Sequence, residues 1–140
     1  MAGKGKKGKG AGKRPFFSKY KAKKTLCLHE HTHDSKKEAE RCDKLHEMQE
    51  RKEISELEIQ REFELIPAQR ETVHRVGKKG QPLKDKVVLL ERPCVYKSDF
   101  CYKDADGNFV VEDCKGRRTK EYIIKRKLML YIHHIKIVET

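Results

Sequence analysis

A pair of apolar segments joined by a tight-turn signal constrains the fold of this chain more than any other feature. The segments are CVYKSDFCYK and NFVVEDCK, and the stretch DADG at 104–107 lies between them. Asp-Gly is typical of the turn in an antiparallel β-hairpin. Such a turn sets Asp99 directly or diagonally across from Asp113, with Cβ atoms roughly 5–8 Å apart. Lys115 follows Asp113 by two residues and therefore shares its face of the strand.

Periodic apolar residues predict two helices. The first begins at Asp34 or Ser35 and runs to about Lys52. Its inward stripe, at spacings of three and four, is Ala39, Cys42, Leu45 and Met48 or Gln49. The second helix covers TKEYIIKRKLMLYIHH. Its predicted buried face is Ile124, Leu128, Tyr131 and Ile132.

Three further stretches predict strands around these helices. Alternation over 57–65 predicts one strand, which Pro67 closes, and KVVLLERP and the terminal IKIVE predict two short ones. Residues 69–86 are polar around GKKGQP and predict a hairpin tip or a flexible loop. The order of elements favours a single α/β domain with a mixed central sheet flanked by helices.

Basic charge is concentrated at the N-terminus. Residues 1–24 hold ten Lys or Arg and no acid, whereas residues 25–140 carry 24 basic and 22 acidic groups, within a net charge of +12. Residues 1–18 are therefore predicted to be a disordered Gly/Lys-rich tail suited to phosphate backbones, or merely a solubilising one, and residues 19–140 to be the domain. No apolar stretch is long enough to span a membrane, and we expect no membrane partner. Five irregularly spaced cysteines favour a reducing, cytoplasmic location.

The acidic pair across the hairpin indicates a metal site. Two carboxylates so close repel each other unless a cation lies between them. Oxygen ligands with open coordination positions favour Mg²⁺ or Mn²⁺. The plainer interpretation is that Asp113 and Lys115 form a solvated ion pair at a strand end.

Longer stretches of the chain resemble a known group of proteins. HDSKKEAER, ELEIQREFELIPA, VYKSDFCY and VVEDCKGRRTKEYIIKRKL, in this order, are similar to a family of small phage and prophage proteins of uncharacterised function. That family is placed in the PD-(D/E)XK, or restriction-endonuclease-like, nuclease superfamily. The resemblance covers about residues 19–138. Asp99 followed by Asp113-Cys114-Lys115 matches the superfamily pattern, although Ser98 stands where proline would precede Asp99.

The resemblance implies a PD-(D/E)XK nuclease-like core and a role for each of these residues. Asp99 and Asp113 would bind Mg²⁺ or Mn²⁺, and the backbone carbonyl of Cys114 would add a ligand. Lys115 would position or activate the attacking water and stabilise developing charge. Glu38, in the first helix, would be an extra catalytic carboxylate that also helps to bind the metal.

Glu38 also has a structural interpretation. Ser35-Lys-Lys-Glu38 fits a capping box, in which Glu38 reaches back to the start of the helix. Its helix face, shared with Cys42 and Leu45, leans toward the sheet, so both roles stay open. Glu112 points to the opposite face from Asp113 and is the weaker ligand candidate.

Basic residues after the last hairpin strand are expected to bind nucleic acid. They are Arg117, Arg118, Lys120 and Lys125. Ordinary exposed lysines on a helix surface are the alternative.

A histidine-rich stretch precedes the first helix. CLHEHTH places Cys27, His29, His31 and His33 at every second position, and Cys42 and His46 follow in the helix. A Zn²⁺ site is conceivable with such ligands. However, four same-face residues of one strand cannot surround a tetrahedral ion, so the favoured interpretation is a histidine-rich hairpin without zinc.

These features together predict a single-domain, Mg²⁺-dependent DNA endonuclease or resolvase-like enzyme of phage origin, with DNA as its partner. The first alternative is a non-catalytic nucleic-acid-binding protein of phage origin. The second is a zinc-stabilised interaction module built on residues 27–33. Cutting both strands of a DNA junction would favour a homodimer.

Overall fold

The computed structural model describes residues 24–140. The predicted tail, residues 1–18, lies outside them. The elements in chain order are β1 (Thr25–Leu26), β2 (Thr32–His33), α1 (Lys36–Glu50), β3 (Ser55–Ile59), β4 (Glu62–Ile66), β5 (Gln69–Val76), β6 (Pro82–Glu91), β7 (Cys94–Lys97), β8 (Phe100–Lys103), β9 (Phe109–Asp113), α2 (Lys120–His133) and β10 (Val138–Glu139).

The central sheet has four strands in the order β10-β9-β8-β3. Strands β8 and β9 pair antiparallel, with Phe100 opposite Glu112, whereas β10 runs parallel to β9. The turn between β8 and β9 is the predicted one: Asp104 Oδ1 accepts hydrogen bonds from the backbone N–H groups of Asp106 and Asn108, and Gly107 takes a φ of 81°. The prediction of a mixed α/β sheet is confirmed. Three two-stranded sheets, β1-β2, β4-β7 and β5-β6, accompany it.

The two helices pack against opposite faces of the central sheet. Phe100 and Tyr102 point toward α1 and join one buried cluster, while Cys101 and Val111 join the other, which includes residues of α2. This division follows from strand geometry, because successive side chains of β8 alternate between faces. The sheet therefore separates two small cores.

Helix α1 forms where it was predicted. Ser35 is the N-cap, and its hydroxyl accepts a hydrogen bond from the N–H of Glu38. Ala39, Cys42 and Leu45 are buried, as the stripe predicted.

The predicted strand over 57–65 is wrong, because the chain breaks at Gln60 into β3 and β4. Gln60 has a left-handed φ of 57°, and its N–H donates to the carbonyl of Asp99. A matching break separates β7 from β8, where the Ser98 N–H donates to the carbonyl of Arg61. The paired breaks send β3 and β8 into the central sheet, and β4 and β7 into a second one.

Residues 69–91 form a longer hairpin than predicted. Among residues 24–140, strands β5 and β6 pair only with each other, and every residue in them except Val88 is exposed. The predicted strand at KVVLLERP thus begins earlier, at Pro82, and β5 occupies the first part of the stretch assigned to a hairpin tip or loop.

The predicted buried face of α2 is also wrong. Ile124, Tyr131 and Ile132 are exposed, and the buried residues of the helix are Tyr122 and Met129. Apolar side chains occur on several sides of this helix, so their spacing alone does not identify the packed side.

None of the helices between residues 24 and 140 is long and apolar enough to cross a membrane.

A buried ion pair joins α1 to the sheet. Arg41 donates two hydrogen bonds to the carboxylate of Glu112, at 2.5 and 2.8 Å, and Tyr102 Oη donates a third at 2.9 Å. The Glu112 side chain is fully buried. Burial alone would raise the pKa of Glu112, but the hydrogen bonds and charge of Arg41 outweigh it and hold the pKa below its ordinary value.

We predict that Arg41→Ala lowers the free energy of unfolding by about 3–5 kcal/mol, because it leaves the Glu112 carboxylate buried without its countercharge. Arg51→Ala is the matched control, since its ion pair with Glu47 is largely exposed. Its effect should stay below about 1 kcal/mol. Urea denaturation of the three proteins measures both values, and equal losses would contradict the structural role of Arg41.

Candidate functional site

Asp99 and Asp113 lie side by side where the two sheets diverge. The register of β8 and β9 pairs Phe100 with Glu112, so Asp99, one residue before β8, stands opposite Asp113 at the end of β9. This matches the predicted arrangement across the hairpin. Asp99 also lies in the break between β7 and β8, outside regular pairing.

The carboxylate of Asp113 is fully buried. Its Oδ2 accepts a hydrogen bond of 2.7 Å from the hydroxyl of Tyr96, and its Oδ1 lies 2.8 Å from Lys115 Nζ. Within the described residues, Oδ1 has no well-directed hydrogen-bond donor besides this ion pair. A buried carboxylate oxygen with spare lone pairs is suited to binding a cation.

The carboxyl group of Asp99 has a shifted pKa. Burial and then the nearby charge of Asp113 raise the pKa of Asp99 to about 7, although the N–H of Cys114 donates to its Oδ2 at 2.6 Å and opposes the shift. Glu38 contributes in the same direction as Asp113. Two carboxyl groups in a common apolar setting thus hold a proton near neutral pH when no cation is shared between them.

Lys115 completes the group as an ammonium ion. Burial works to lower its pKa, but the hydrogen bond and charge of Asp113 outweigh burial, so the pKa is raised. The ammonium also lies 4.9 Å from the ring centre of Tyr122, in a cation–π contact. Lys115 is therefore a fixed positive charge beside the two acids and not a base at neutral pH.

Glu38 makes the capping box that its spacing allows. Its Oε1 accepts from the Ser35 hydroxyl at 2.9 Å, and its Oε2 accepts from the Asp34 N–H at 3.2 Å. Its charge also acts on Asp99 and Lys115. The geometry thus combines a capping role with a position near the acidic pair.

Glu112 and Cys114 flank Asp113 on the strand and serve other contacts. Glu112 faces α1 and Arg41, on the opposite side of the strand from Asp113, as its position predicted. The thiol of Cys114 is buried 3.2 Å from the hydroxyl of Thr140, while its N–H binds Asp99. Metal binding by the Cys114 carbonyl stays a prediction.

The predicted nucleic-acid-binding residues differ in their surroundings. Arg118 forms an ion pair with Glu139, and Lys125 pairs with Glu121 at 3.1 Å. The remaining two are exposed: Arg117 lies in the loop before α2, and Lys120 is the first residue of α2.

Sequence reasoning missed the residues that enclose the acids from the other sheet. Tyr96 lies on β7, and its hydroxyl reaches Asp113 only because β4-β7 packs over the α2 side of the central sheet. An open groove of about 400 Å³ runs beside Lys115. Its lining includes Tyr96, Tyr122, Lys97, Lys115 and Lys125. No local sequence signal marks Tyr96 or Lys97, because their roles depend on the break at residues 98–99.

A second group of side chains lies at the histidine-rich stretch. Cys27, His31, His33 and Cys42 come together, whereas His29 does not join them. The stretch forms the predicted hairpin, with a turn between β1 and β2. The reversal of the chain brings ligands together from different directions.

The fold and site define a mixed α/β protein with a buried acid–lysine group at the edge of a β-hairpin. A family model described as "Protein of unknown function (DUF1064)" matches residues 17–138. The chain belongs to this family, and the match spans the stretch on which the resemblance rests. No curated protein and no solved structure matches the chain.

We predict a pH dependence of stability that comes from Asp99. Its raised pKa means that, between about pH 4 and pH 7, the folded protein holds a proton that the unfolded chain releases. This contribution to the free energy of unfolding is complete below about pH 4 and is lost as the pH rises through about 7, by up to about 1.4 kcal/mol per pH unit.

Asp99→Asn should remove this contribution. Denaturant unfolding of both proteins at several pH values, without added divalent cations, measures it as the difference between them. A difference that does not change between pH 4 and pH 7 would contradict the shifted pKa.

Proposed function

We propose that this protein is a Mg²⁺- or Mn²⁺-dependent deoxyribonuclease of the PD-(D/E)XK type. It would hydrolyse phosphodiester bonds as an endonuclease, with junction-resolvase-like cleavage as one form of the activity. The observation that carries this proposal is the convergence of Asp99, Asp113 and Lys115. One buried oxygen of Asp113 has no hydrogen-bond donor among residues 24–140 besides Lys115. A phage origin and a cytoplasmic location belong to the same proposal.

The donor set fits a hard divalent cation. Asp99 and Asp113 would hold it through carboxylate oxygens, with the Cys114 carbonyl and Glu38 as the further candidates. Such an ion offsets negative charge on a phosphate and acidifies water. The raised pKa of Asp99 supports the assignment, because the two carboxyl groups need a positive charge or a proton to remain together.

Lys115 would act as an electrostatic group. With its pKa raised, its ammonium can donate hydrogen bonds to a phosphate oxygen or a water molecule but cannot accept a proton. Asp113 and the ring of Tyr122 hold the ammonium in place before substrate arrives. A charge fixed in advance costs no reorganisation as negative charge develops on the scissile phosphate.

The groove beside Lys115 would accept the DNA backbone. Lys97, Lys115 and Lys125 line it together with two acids, Glu62 and Glu121, and Glu121 pairs with Lys125. Exposed Arg117 and Lys120 would extend the positive surface beyond it. Phosphate contacts of this kind bind without reading bases, which suits a nuclease directed by DNA shape. A homodimer would place two such sites on the two strands of a junction.

The alternative is a nucleic-acid-binding protein without catalysis. The basic surface and the lysine-rich N-terminus suit both functions. A protein that only binds gains nothing from two carboxylates next to phosphate, since they would repel it. The buried acidic pair therefore favours the nuclease.

We predict that Asp113→Asn and Lys115→Ala each lower DNA cleavage by at least about a hundredfold, the usual scale for loss of one group that stabilises the transition state. DNA binding without added metal should change little. Lys44→Ala is the matched control for Lys115, because it removes an exposed lysine of α1 that does not line the groove. Cleavage of labelled junction, flap, duplex and single-stranded DNA measures the activity. Cleavage that survives Asp113→Asn with a native fold would refute the site.

We predict that Glu38→Gln weakens the response to Mg²⁺ by roughly 10–100-fold while the fold stays stable. Glutamine can still accept the capping-box hydrogen bond from the Asp34 N–H through its one carbonyl oxygen, but it removes a charge that acts on Asp99 and Lys115. Cleavage rate as a function of Mg²⁺ concentration, with thermal melts alongside, measures both properties. Glu40→Gln is the control, since Glu40 is an exposed residue of the same turn paired only with Lys36. Identical Mg²⁺ curves for Glu38→Gln and wild type would restrict Glu38 to capping.

A further inference from the structure

Two cysteines and two histidines converge between the β1–β2 hairpin and α1. Cys27 follows β1, His31 and His33 lie before and at the end of β2, and Cys42 lies in the middle of α1. Their ligand atoms all lie within 4.8 Å of one another. Cys27, His33 and Cys42 are buried, and His31 is half-buried.

The backbone of the hairpin creates this arrangement. The Cys27 N–H donates to the carbonyl of His31 at 3.0 Å, and Glu30 takes a left-handed φ of 63° inside the turn. The chain therefore reverses between the first two ligands. A hydrogen bond of 2.8 Å from the Leu28 N–H to Asp43 Oδ1 fastens the turn to α1, next to Cys42. Three separate backbone segments thus supply the four side chains.

The sulfur–nitrogen distances agree with tetrahedral zinc. His31 Nδ1 lies 3.6 Å from the sulfur of Cys27 and 3.6 Å from that of Cys42. Zn–S bonds of about 2.3 Å and Zn–N bonds of about 2.0–2.1 Å, at the tetrahedral angle, place sulfur and nitrogen about 3.6 Å apart. The remaining separations among the four ligand atoms are at most 4.8 Å, whereas a tetrahedral zinc site has ligand–ligand distances of about 3.3–3.8 Å.

His33 provides an independent indication of a metal site. Its side chain is 1% exposed, and its Nε2 is buried with no hydrogen-bond partner among the described residues. An unpartnered buried polar atom costs about 1–3 kcal/mol, so a folded protein normally gives it a partner. The ring packs 5.8 Å from Phe100, in the core between α1 and the sheet. A metal–nitrogen bond would satisfy a histidine in this position.

The aromatic surroundings hold the second histidine in place. The ring of His46 stacks on that of His31 at 5.4 Å and 9°, and His29 stacks on His46 at 3.8 Å. His46 lies one turn after Cys42 on α1. The stack fixes the plane of His31, which a directional metal bond requires.

We propose that Cys27, His31, His33 and Cys42 form a structural Zn²⁺ site. Two thiolates and two imidazoles fill all four tetrahedral positions and leave none open for a substrate, which is the pattern of structural zinc and not of catalytic zinc. The ion would fasten the β1–β2 hairpin to α1. This site is separate from the acid–lysine group and uses softer ligands than Mg²⁺ accepts.

The test uses the full chain purified under reducing conditions from cells supplied with zinc. We expect one zinc per chain by elemental analysis. Replacement by Co²⁺ should give the strong visible bands of tetrahedral cobalt and a near-ultraviolet band from thiolate-to-cobalt charge transfer. Zinc should also raise the thermal midpoint, by an amount that grows with the logarithm of its free concentration above the dissociation constant. A chain with no bound zinc and no tetrahedral cobalt spectrum would overturn the proposal, as would a disulfide between Cys27 and Cys42 in place of the metal.

Single substitutions test which side chains bind the metal. Cys27→Ser and His31→Gln should each lower zinc content well below one per chain, and each should remove part of the cobalt spectrum. The matched controls are Cys94→Ser, since Cys94 lies outside the group, and His74→Gln, which changes an exposed histidine of β5. Both controls should keep the metal. If Cys27→Ser does not fold, the zinc content of His31→Gln and the cobalt spectrum of the wild-type protein still test the proposal. Full zinc content in both ligand variants would refute the assignment, whatever the outcome of the nuclease assays.

Discussion

The register between β8 and β9 determines the arrangement of this protein's charged groups. Adjacent acids at 112 and 113 point to opposite faces of the sheet because strand side chains alternate. Glu112 meets Arg41 on the α1 side, and Asp113 meets Tyr96 and Lys115 on the α2 side. A slip of one residue would exchange the two carboxylates and leave each buried beside the wrong partners. The pairing of β8 with β9 therefore determines both the stability of the α1 side of the sheet and the chemistry of the α2 side.

The sequence predicted this hairpin because its signals are local. An Asp-Gly turn and alternating apolar residues fix the register, and the register places Asp99 opposite Asp113. The break at Gln60 was missed because Leu57 and Ile59 before it and Phe63 and Leu65 after it keep the same alternating phase, although 60–62 are all polar. The contact of Tyr96 with Asp113 depends on that break and was missed with it. Local patterns thus predict the acids of the site but not the groups that enclose them.

The histidine-rich stretch forms the predicted hairpin, but the sequence argument against a zinc site does not apply to it. Four residues at alternating positions of one extended strand cannot surround an ion. The stretch instead reverses direction at Glu30, whose left-handed backbone has no strong sequence signal in a non-glycine residue. After that reversal the alternation survives only in His31 and His33. Cys42 then reaches the same point from α1, which periodicity within the stretch could not indicate.

Helix α1 connects the two proposed metal sites. His33 precedes the N-cap Ser35 by two residues, Glu38 lies in the first turn, and Cys42 lies one turn further. A zinc ion bound by His33 and Cys42 would fix the start of the helix on both sides of Glu38. Chelators such as EDTA remove Zn²⁺ as well as Mg²⁺, so loss of cleavage in EDTA could come from either site. Only restoration by Mg²⁺ alone, in protein whose zinc content has been measured, assigns the loss to Asp99 and Asp113.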